Sequence, residues 1–131
     1  LGILDEVTFP GWRSPEQVHE LFERASVVVV PSRREAFGIV VLEAWRAGAP
    51  LVTSNQTGPA TFVRSGEDGL LVDPNDVPEL TAAIARLLTD PSYAARLGAA
   101  GRRRVAEFTW SRAAQDYLAV YDAALADRAS R

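Results

Sequence analysis

Apolar positions along the chain keep two rhythms, and the switches between them mark its elements. Val27–Val30 is an unbroken run of four valines, too apolar and too β-branched for a half-solvated strand. It predicts a strand buried on both faces of a parallel sheet. Pro31 closes the run because it brings no N–H to a ladder. Past the polar loop Ser32-Arg33-Arg34-Glu35 and Phe37-Gly38, a second apolar run starts at Ile39. It carries Leu42, Ala44, Trp45 and Ala47 and stops at Gly48, which reads as a buried helix with a glycine just past its end. Shorter strands are predicted at Val7-Thr8-Phe9, Leu51-Val52-Thr53 and Leu70-Leu71-Val72, with a turn at Gly66-Glu67-Asp68-Gly69 before the last.

The remaining stretches keep helical spacing. Ser14-Pro15-Glu16-Gln17 has the form of a capped helix start, and Val18, Leu21, Phe22 and Ala25 mark the face that helix should bury. Asp76-Val77-Pro78-Glu79 repeats the capping-box pattern ahead of Leu80, Ala83, Ile84, Leu87 and Leu88. Asp90-Pro91 begins a helix running toward Phe108, with Gly98 and Gly101 as weak points. Thr109 caps a last helix whose apolar stripe is Trp110, Ala113, Ala114, Tyr117, Val120 and Tyr121. Trp45 and Trp110 are assigned to the core, and the tail beyond Ala126 to fraying. Strands alternating with helices in this way predict a parallel sheet in a doubly wound α/β domain.

Two carboxylates interrupt the central strand-loop-helix. Glu35 lies in the loop at the strand's carboxyl end, and Glu43 about one turn into the helix, on the stripe of Ile39, Arg46 and Ala47. Open parallel sheets bind ligands in the crevice outside their strand carboxyl ends, so both acids are expected to face one crevice. Between them, the free N–H groups of Phe37, Gly38 and Ile39 form a helix start that attracts anions. Gly38 would let the backbone approach a ligand. Acceptors for hydroxyls flanking donors for phosphate suit a nucleotide diphosphate-sugar. The plainer reading is a solvated loop acid and a helix acid paired with an arginine such as Arg46. The site reading is preferred because Glu43 would otherwise sit near a buried helix at a desolvation cost.

Composition narrows the function classes without choosing among them. A chain of 131 residues fits one domain and can bury a real core. The absence of cysteine excludes a disulfide framework and a thiolate metal site. A single histidine, His19, leaves little for a zinc site or a Ser-His-Asp triad and is assigned to structure or solvent. The net charge of −3 argues against nucleic acid as a partner. No apolar run approaches the ~20 residues of a membrane span, and no signal peptide heads the chain, so a cytoplasmic location is expected. Arg33, Arg34 and Arg102–Arg104 read most simply as solvated. The chain opens on Leu1 and contains no methionine, so it is expected to be a piece of a longer protein.

In order and spacing, these blocks resemble the distal part of the C-terminal domain of retaining glycosyltransferases of family four, which have the two-domain GT-B fold. The acidic signature reads Glu35-Ala-Phe-Gly-Ile-Val-Val-Leu-Glu43. Around it stand the valine-rich strand with Pro31-Ser32, then Ala47-Gly48-Ala49-Pro50, Gly69-Leu70-Leu71-Val72, and Arg102-Arg103-Arg104-Val105 with Phe108-Thr109-Trp110. The resemblance runs from about Leu1 to Tyr121. It implies a Rossmann-like doubly wound parallel sheet with flanking helices, residues 1–131 forming a partial nucleotide-sugar-binding domain. It further implies transfer of a sugar from a nucleotide diphosphate-sugar to an acceptor, with retention of configuration.

In such enzymes Glu43 would hold the ribose, and Glu35 the donor sugar near the reacting centre. The N–H groups of Phe37, Gly38 and Ile39 would hold phosphate or sugar oxygens, while Gly11 and Trp12 would lie near the nucleobase. No metal and no cofactor beyond the donor is implied. The acceptor would bind an N-terminal domain outside this chain, through which peripheral membrane contact could also arise. Where the family places two glycines and an acid, this chain has Thr57-Gly58-Pro59-Ala60-Thr61. A sugar-nucleotide epimerase, a glucan synthase and a non-catalytic binding module are the other readings.

Overall fold

The computed structural model describes residues 2–129. Three strands, β1 (Val28–Val30), β2 (Leu51–Ser54) and β3 (Leu70–Val72), form a parallel sheet in the order β1-β2-β3. Val29 pairs with Val52, and Thr53 with Leu71. Five α-helices surround the sheet: α1 (Pro15–Arg24), α2 (Ile39–Ala47), α3 (Val77–Thr89), α4 (Pro91–Arg104) and α5 (Trp110–Ala129). Because successive strand residues point to opposite faces, the sheet separates two apolar layers. Val28, Val30, Leu51 and Leu71 meet Val41, Ala44 and Trp45 of α2 together with Phe22 and Ala25. Val27, Val29, Val52, Leu70 and Val72 meet Leu80, Ile84 and Leu87 of α3 and Tyr93, Ala94 and Leu97 of α4. This is the expected doubly wound α/β arrangement.

Local signals account for most element ends. Ser14 accepts from the Gln17 N–H while the Gln17 side chain accepts from the Ser14 N–H, a closed capping box. At the far end of α2, Gly48 takes φ 73°. The N–H groups of Gly48 and Ala49 reach back to the carbonyls of Trp45 and Ala44, the pairing of a Schellman motif. Asp76 caps α3 through the Glu79 N–H, but the box there stays open: the Glu79 carboxylate accepts from Asp73 N–H instead.

Several expectations are corrected. Val7–Phe9 forms no strand; a single 3-10 turn, Leu4–Glu6, precedes it, and Phe9 is exposed. A strand needs a neighbour to receive its N–H and C=O groups, and among the described residues none lies beside this segment. For the same reason β1 is an edge strand, and only Val28 of its valines is fully buried. Leu21 of α1 faces solvent, since α1 packs mainly on α2 and buries a narrow strip. The fourth helix ends at Arg104, followed by a 3-10 turn over Val105–Glu107. The last helix continues past Ala126 to Ala129; Leu1, Ser130 and Arg131 lie outside the described residues. Trp45 is fully buried as expected, but Trp110 is 92% exposed, because α5 makes no extensive contact with another element among the described residues.

Candidate functional site

Three loops meet at the carboxyl end of the sheet. The one after β1 runs from Pro31 to Gly38, the one after β2 from Asn55 to Gly58, and the one after β3 from Asp73 to Asp76. Their backbones are tied together. Gly58 N–H donates to Glu35 C=O at 3.0 Å, and Asn55 N–H to Val72 C=O at 2.9 Å. The first two loops touch where Gly58 crosses Ala36: a Cβ on Gly58 would stand 2.3 Å from the Ala36 carbonyl oxygen. Sequence reasoning passed over Gly58, since a turn-prone run gives no hint of which backbone crosses it.

Gly38 holds φ 92°, a left-handed conformation that disfavours a side chain. A Cβ there would also come within 2.6 Å of the Pro59 ring. This glycine is therefore already demanded by the protein's own packing, whatever approaches from outside. It serves as the N-cap of α2 and offers no side-chain hydrogen bond to the helix start. The Glu35 carboxylate accepts from the Phe37 N–H, one residue ahead of that N-cap, at 3.3 Å. Glu35 and Phe37 thus form one unit at the mouth of the helix, next to the solvent-exposed Ile39.

Glu43 stands apart from that unit. It is exposed on the outer side of α2, and with Arg46 it lines an open groove of about 490 Å³ against Pro15, Glu16 and His19 of α1. Glu35 is not part of this groove. Glu43 therefore bears no desolvation cost of the kind expected from the sequence, because a carboxylate on the solvent side loses little hydration. Gly11 and Trp12 precede the same end of α1. Trp12 is 84% exposed and is not packed into the core. Arg33 and Arg34 are exposed in the first loop. Thr61, standing where the resemblance has an acid, turns its hydroxyl back to Gly58 C=O at 2.7 Å.

Around these loops the resolved electrostatic effects are structural. Glu16 at the start of α1 is held below its ordinary pKa mainly by the Ser14 hydroxyl. Glu107 is lowered chiefly by its hydrogen bond from Arg104. Among the described residues no group of three or more His, Asp or Glu is arranged to hold a metal ion, and no helix is long and apolar enough to cross a membrane.

The sequence profile of the family described as "Glycosyl transferases group 1" matches residues 1–104. The chain is similar to the D-inositol 3-phosphate glycosyltransferase of Stackebrandtia nassauensis, at 41% identity over 98% of this chain and 29% of that protein. The enzyme of the same name from Corynebacterium diphtheriae is 39% identical over 97% of this chain and 30% of its own length. Among solved structures, the sucrose-phosphate synthase of Thermosynechococcus elongatus superposes with a TM-score of 0.82 at 40% identity, over 95% of this chain and 32% of that one. Anabaena HepE in complex with UDP-glucose gives 0.75 at 26% identity, over 82% and 29%. The chain thus spans less than a third of the curated relatives it matches. A profile match over most of the chain, on a parallel α/β sheet of the GT-B kind, means that the chain belongs to the glycosyl transferases group 1 family.

Proposed function

We propose that this chain is the donor-binding part of a retaining glycosyltransferase, and that its partial C-terminal domain is completed by an acceptor-binding domain outside residues 1–131. The observation that carries the reading is the Glu35–Phe37 unit: a carboxylate and an amide joined at an α-helix start, at the carboxyl end of a parallel strand. Such a position collects anions and hydroxyls. The names of the relatives support sugar transfer, and the neighbour bound to UDP-glucose supports a nucleotide-sugar donor.

In this reading the N–H groups of Gly38 and Ile39 face the diphosphate and the sugar, while the Phe37 N–H holds the Glu35 carboxylate, which accepts from donor sugar hydroxyls. Glu43 accepts from the ribose in the α1–α2 groove, with Trp12 available to the base at its open end. The bond from the anomeric carbon to the diphosphate oxygen breaks, a bond to the acceptor hydroxyl oxygen forms on the same face of the sugar, and the hydroxyl proton passes to the departing diphosphate. The negative charge gathering on the leaving diphosphate meets the helix amides, a fixed dipole that needs no rearrangement during the reaction. The chemistry proposed here uses no metal and no cofactor besides the donor.

The test, on the longer protein that carries this chain together with the acceptor-binding domain, is a calorimetric titration with UDP, GDP, ADP and UDP-glucose, followed by transfer assays with D-inositol 3-phosphate as the first acceptor. One nucleotide should be preferred. Glu43→Ala should weaken binding of that nucleotide roughly tenfold, the loss of one or two hydrogen bonds to a charged group, without lowering the melting temperature. Glu35→Ala should leave free-nucleotide affinity intact and remove most transfer. No binding of any nucleotide would instead make the chain a non-catalytic module.

A further inference from the structure

The loop that carries Glu35 and Phe37 has few anchors of its own. Its first half, through Arg34, is largely exposed, and its backbone ties are the single hydrogen bond to Gly58 and the contact of Gly38 with Pro59. What holds the Phe37 end is a set of rings. The Phe37 ring lies 5.1 Å from that of Phe62 and 6.4 Å from that of Phe108. Phe62 and Phe108 are 5.2 Å apart, and both rest on Trp45, at 5.7 and 6.0 Å. Trp45 is itself immobilised, fully buried with its indole N–H donating to Asp68 C=O at 2.8 Å.

Phe37 alone among the four rings reaches the site loop, and it remains 44% exposed. Its ring hangs, through Cβ, from the Cα that also bears the amide nitrogen, so holding the ring restricts where that Cα sits and where the N–H points. The Glu35 carboxylate, bonded to that N–H, is oriented by the same contact. Phe108 comes from the far end of the chain, beyond the segment that the family profile matches.

We infer that Phe108, acting with Phe62, is a positioning residue for the donor site: its ring sets the direction of the Phe37 amide and, through it, of the Glu35 carboxylate. The inference rests on the donor-site reading for its ligand but not for its geometry. Phe108 touches no substrate. It contributes preorganisation, which lowers the ordering cost of binding and keeps the reacting groups in register. Replacing Phe108 removes three ring contacts, to Phe37, Phe62 and Trp45, but only the first reaches the loop, so the loop should loosen while the sheet stays folded.

The test uses the full chain with Phe108→Ala, Phe108→Leu and Phe108→Tyr, and with Phe37→Leu as a variant that leaves the core rings in place. Amide NMR should show shifts and faster hydrogen exchange at Ala36–Ile39 in the first two and in Phe37→Leu, with Glu43 unmoved and Phe108→Tyr close to the parent. Affinity for UDP-glucose should fall roughly three- to tenfold, the range spanned by one aromatic pair, while affinity for uridine, which lacks the phosphates and the sugar, stays constant. A parallel fall for both ligands, or unmoved loop amides in a folded Phe108→Leu chain, would overturn the inference. If the parent chain binds neither ligand, the donor reading fails and the amide shifts alone decide the positioning role. If Phe108→Ala does not fold, Phe108→Leu and Phe37→Leu decide it in the same way.

Discussion

Asp68 keeps a carboxylate out of solvent without leaving it unpaired. Its side chain is fully buried, yet it accepts from the Arg64 backbone N–H at 2.7 Å and from the Arg64 Nε at 2.8 Å. The turn it stabilises presents the Asp68 carbonyl to Trp45, so the acid indirectly seats the ring on which Phe62 and Phe108 rest. Asp68→Ala should cost about 1–3 kcal/mol, the range for stranding a buried donor, read as a shift of the urea midpoint with an unchanged slope. Arg64 is half-exposed and turns to water in that variant, so the cost should stay at the lower end. Glu35 and Glu43 stand out as candidates in the sequence because their spacing around a strand-loop-helix is local. Asp68 reads there only as a turn residue because its burial depends on Trp45, 23 positions away. Glu43 shows the opposite limit: its place on the helix stripe was legible, but not that the stripe faces solvent.

Among the elements, α4 contradicts its own propensity. Gly98 and Gly101 weaken a helix by roughly 1 kcal/mol each relative to alanine, and from sequence they are weak points. In the structure they are where the helix comes closest to its neighbours. A Cβ at Gly98 would lie 2.2 Å from the Gly48 carbonyl oxygen, and one at Gly101 would lie 2.2 Å from the Trp45 ring. Gly101→Ala should therefore destabilise by about 1–3 kcal/mol, as overpacking does, despite the better helix former. Gly98→Ala should cost more, since it meets the Gly48 backbone, whose displacement moves the whole end of α2. Thermal melts of the two variants check the order. The start of α4 carries a separate, pH-dependent term. Asp90 accepts from Tyr93 N–H at 2.9 Å and from the Ser92 hydroxyl. The backbone bond first and the hydroxyl second hold its pKa below the ordinary aspartate value. A depressed folded pKa means the stabilisation is complete above the unfolded value and is lost as pH falls through the folded one. The stability gap between the parent chain and Asp90→Ala should be constant near neutrality and close in acid, and a gap that persisted in acid would refute the charged-cap account. Helices whose caps and faces are local were legible in this way, whereas Val7–Phe9 was misread because a strand is defined by a neighbour and not by its own residues.

Taken whole, the molecule is a three-stranded sheet, clasped by α1 and α2 on one face and α3 and α4 on the other, with α5 set apart. The aromatic and aliphatic side chains of that last helix are largely exposed: Trp110 at 92%, and Tyr117, Leu118, Val120, Tyr121 and Leu125 all above half. Its start is tied locally, the Thr109 hydroxyl accepting from Arg112 N–H at 3.1 Å and Arg112 pairing with Asp116. An isolated helix of 20 residues is only marginally stable in water without a packed face, and local capping adds little. Helix α5 should thus open independently of the sheet. Its amides should exchange nearly as fast as those of a free peptide, while those of β2 and α2 exchange only through global unfolding. Ending the chain after Thr109 should change the unfolding free energy by no more than about 0.5 kcal/mol, the range of surface substitutions that touch nothing, and should leave the Phe108 ring contacts intact. Slow exchange in α5, or a cooperative loss of stability on its removal, would show that its apolar residues are packed in this chain. The four-ring cluster would then owe part of its order to a helix that the structure leaves in solvent.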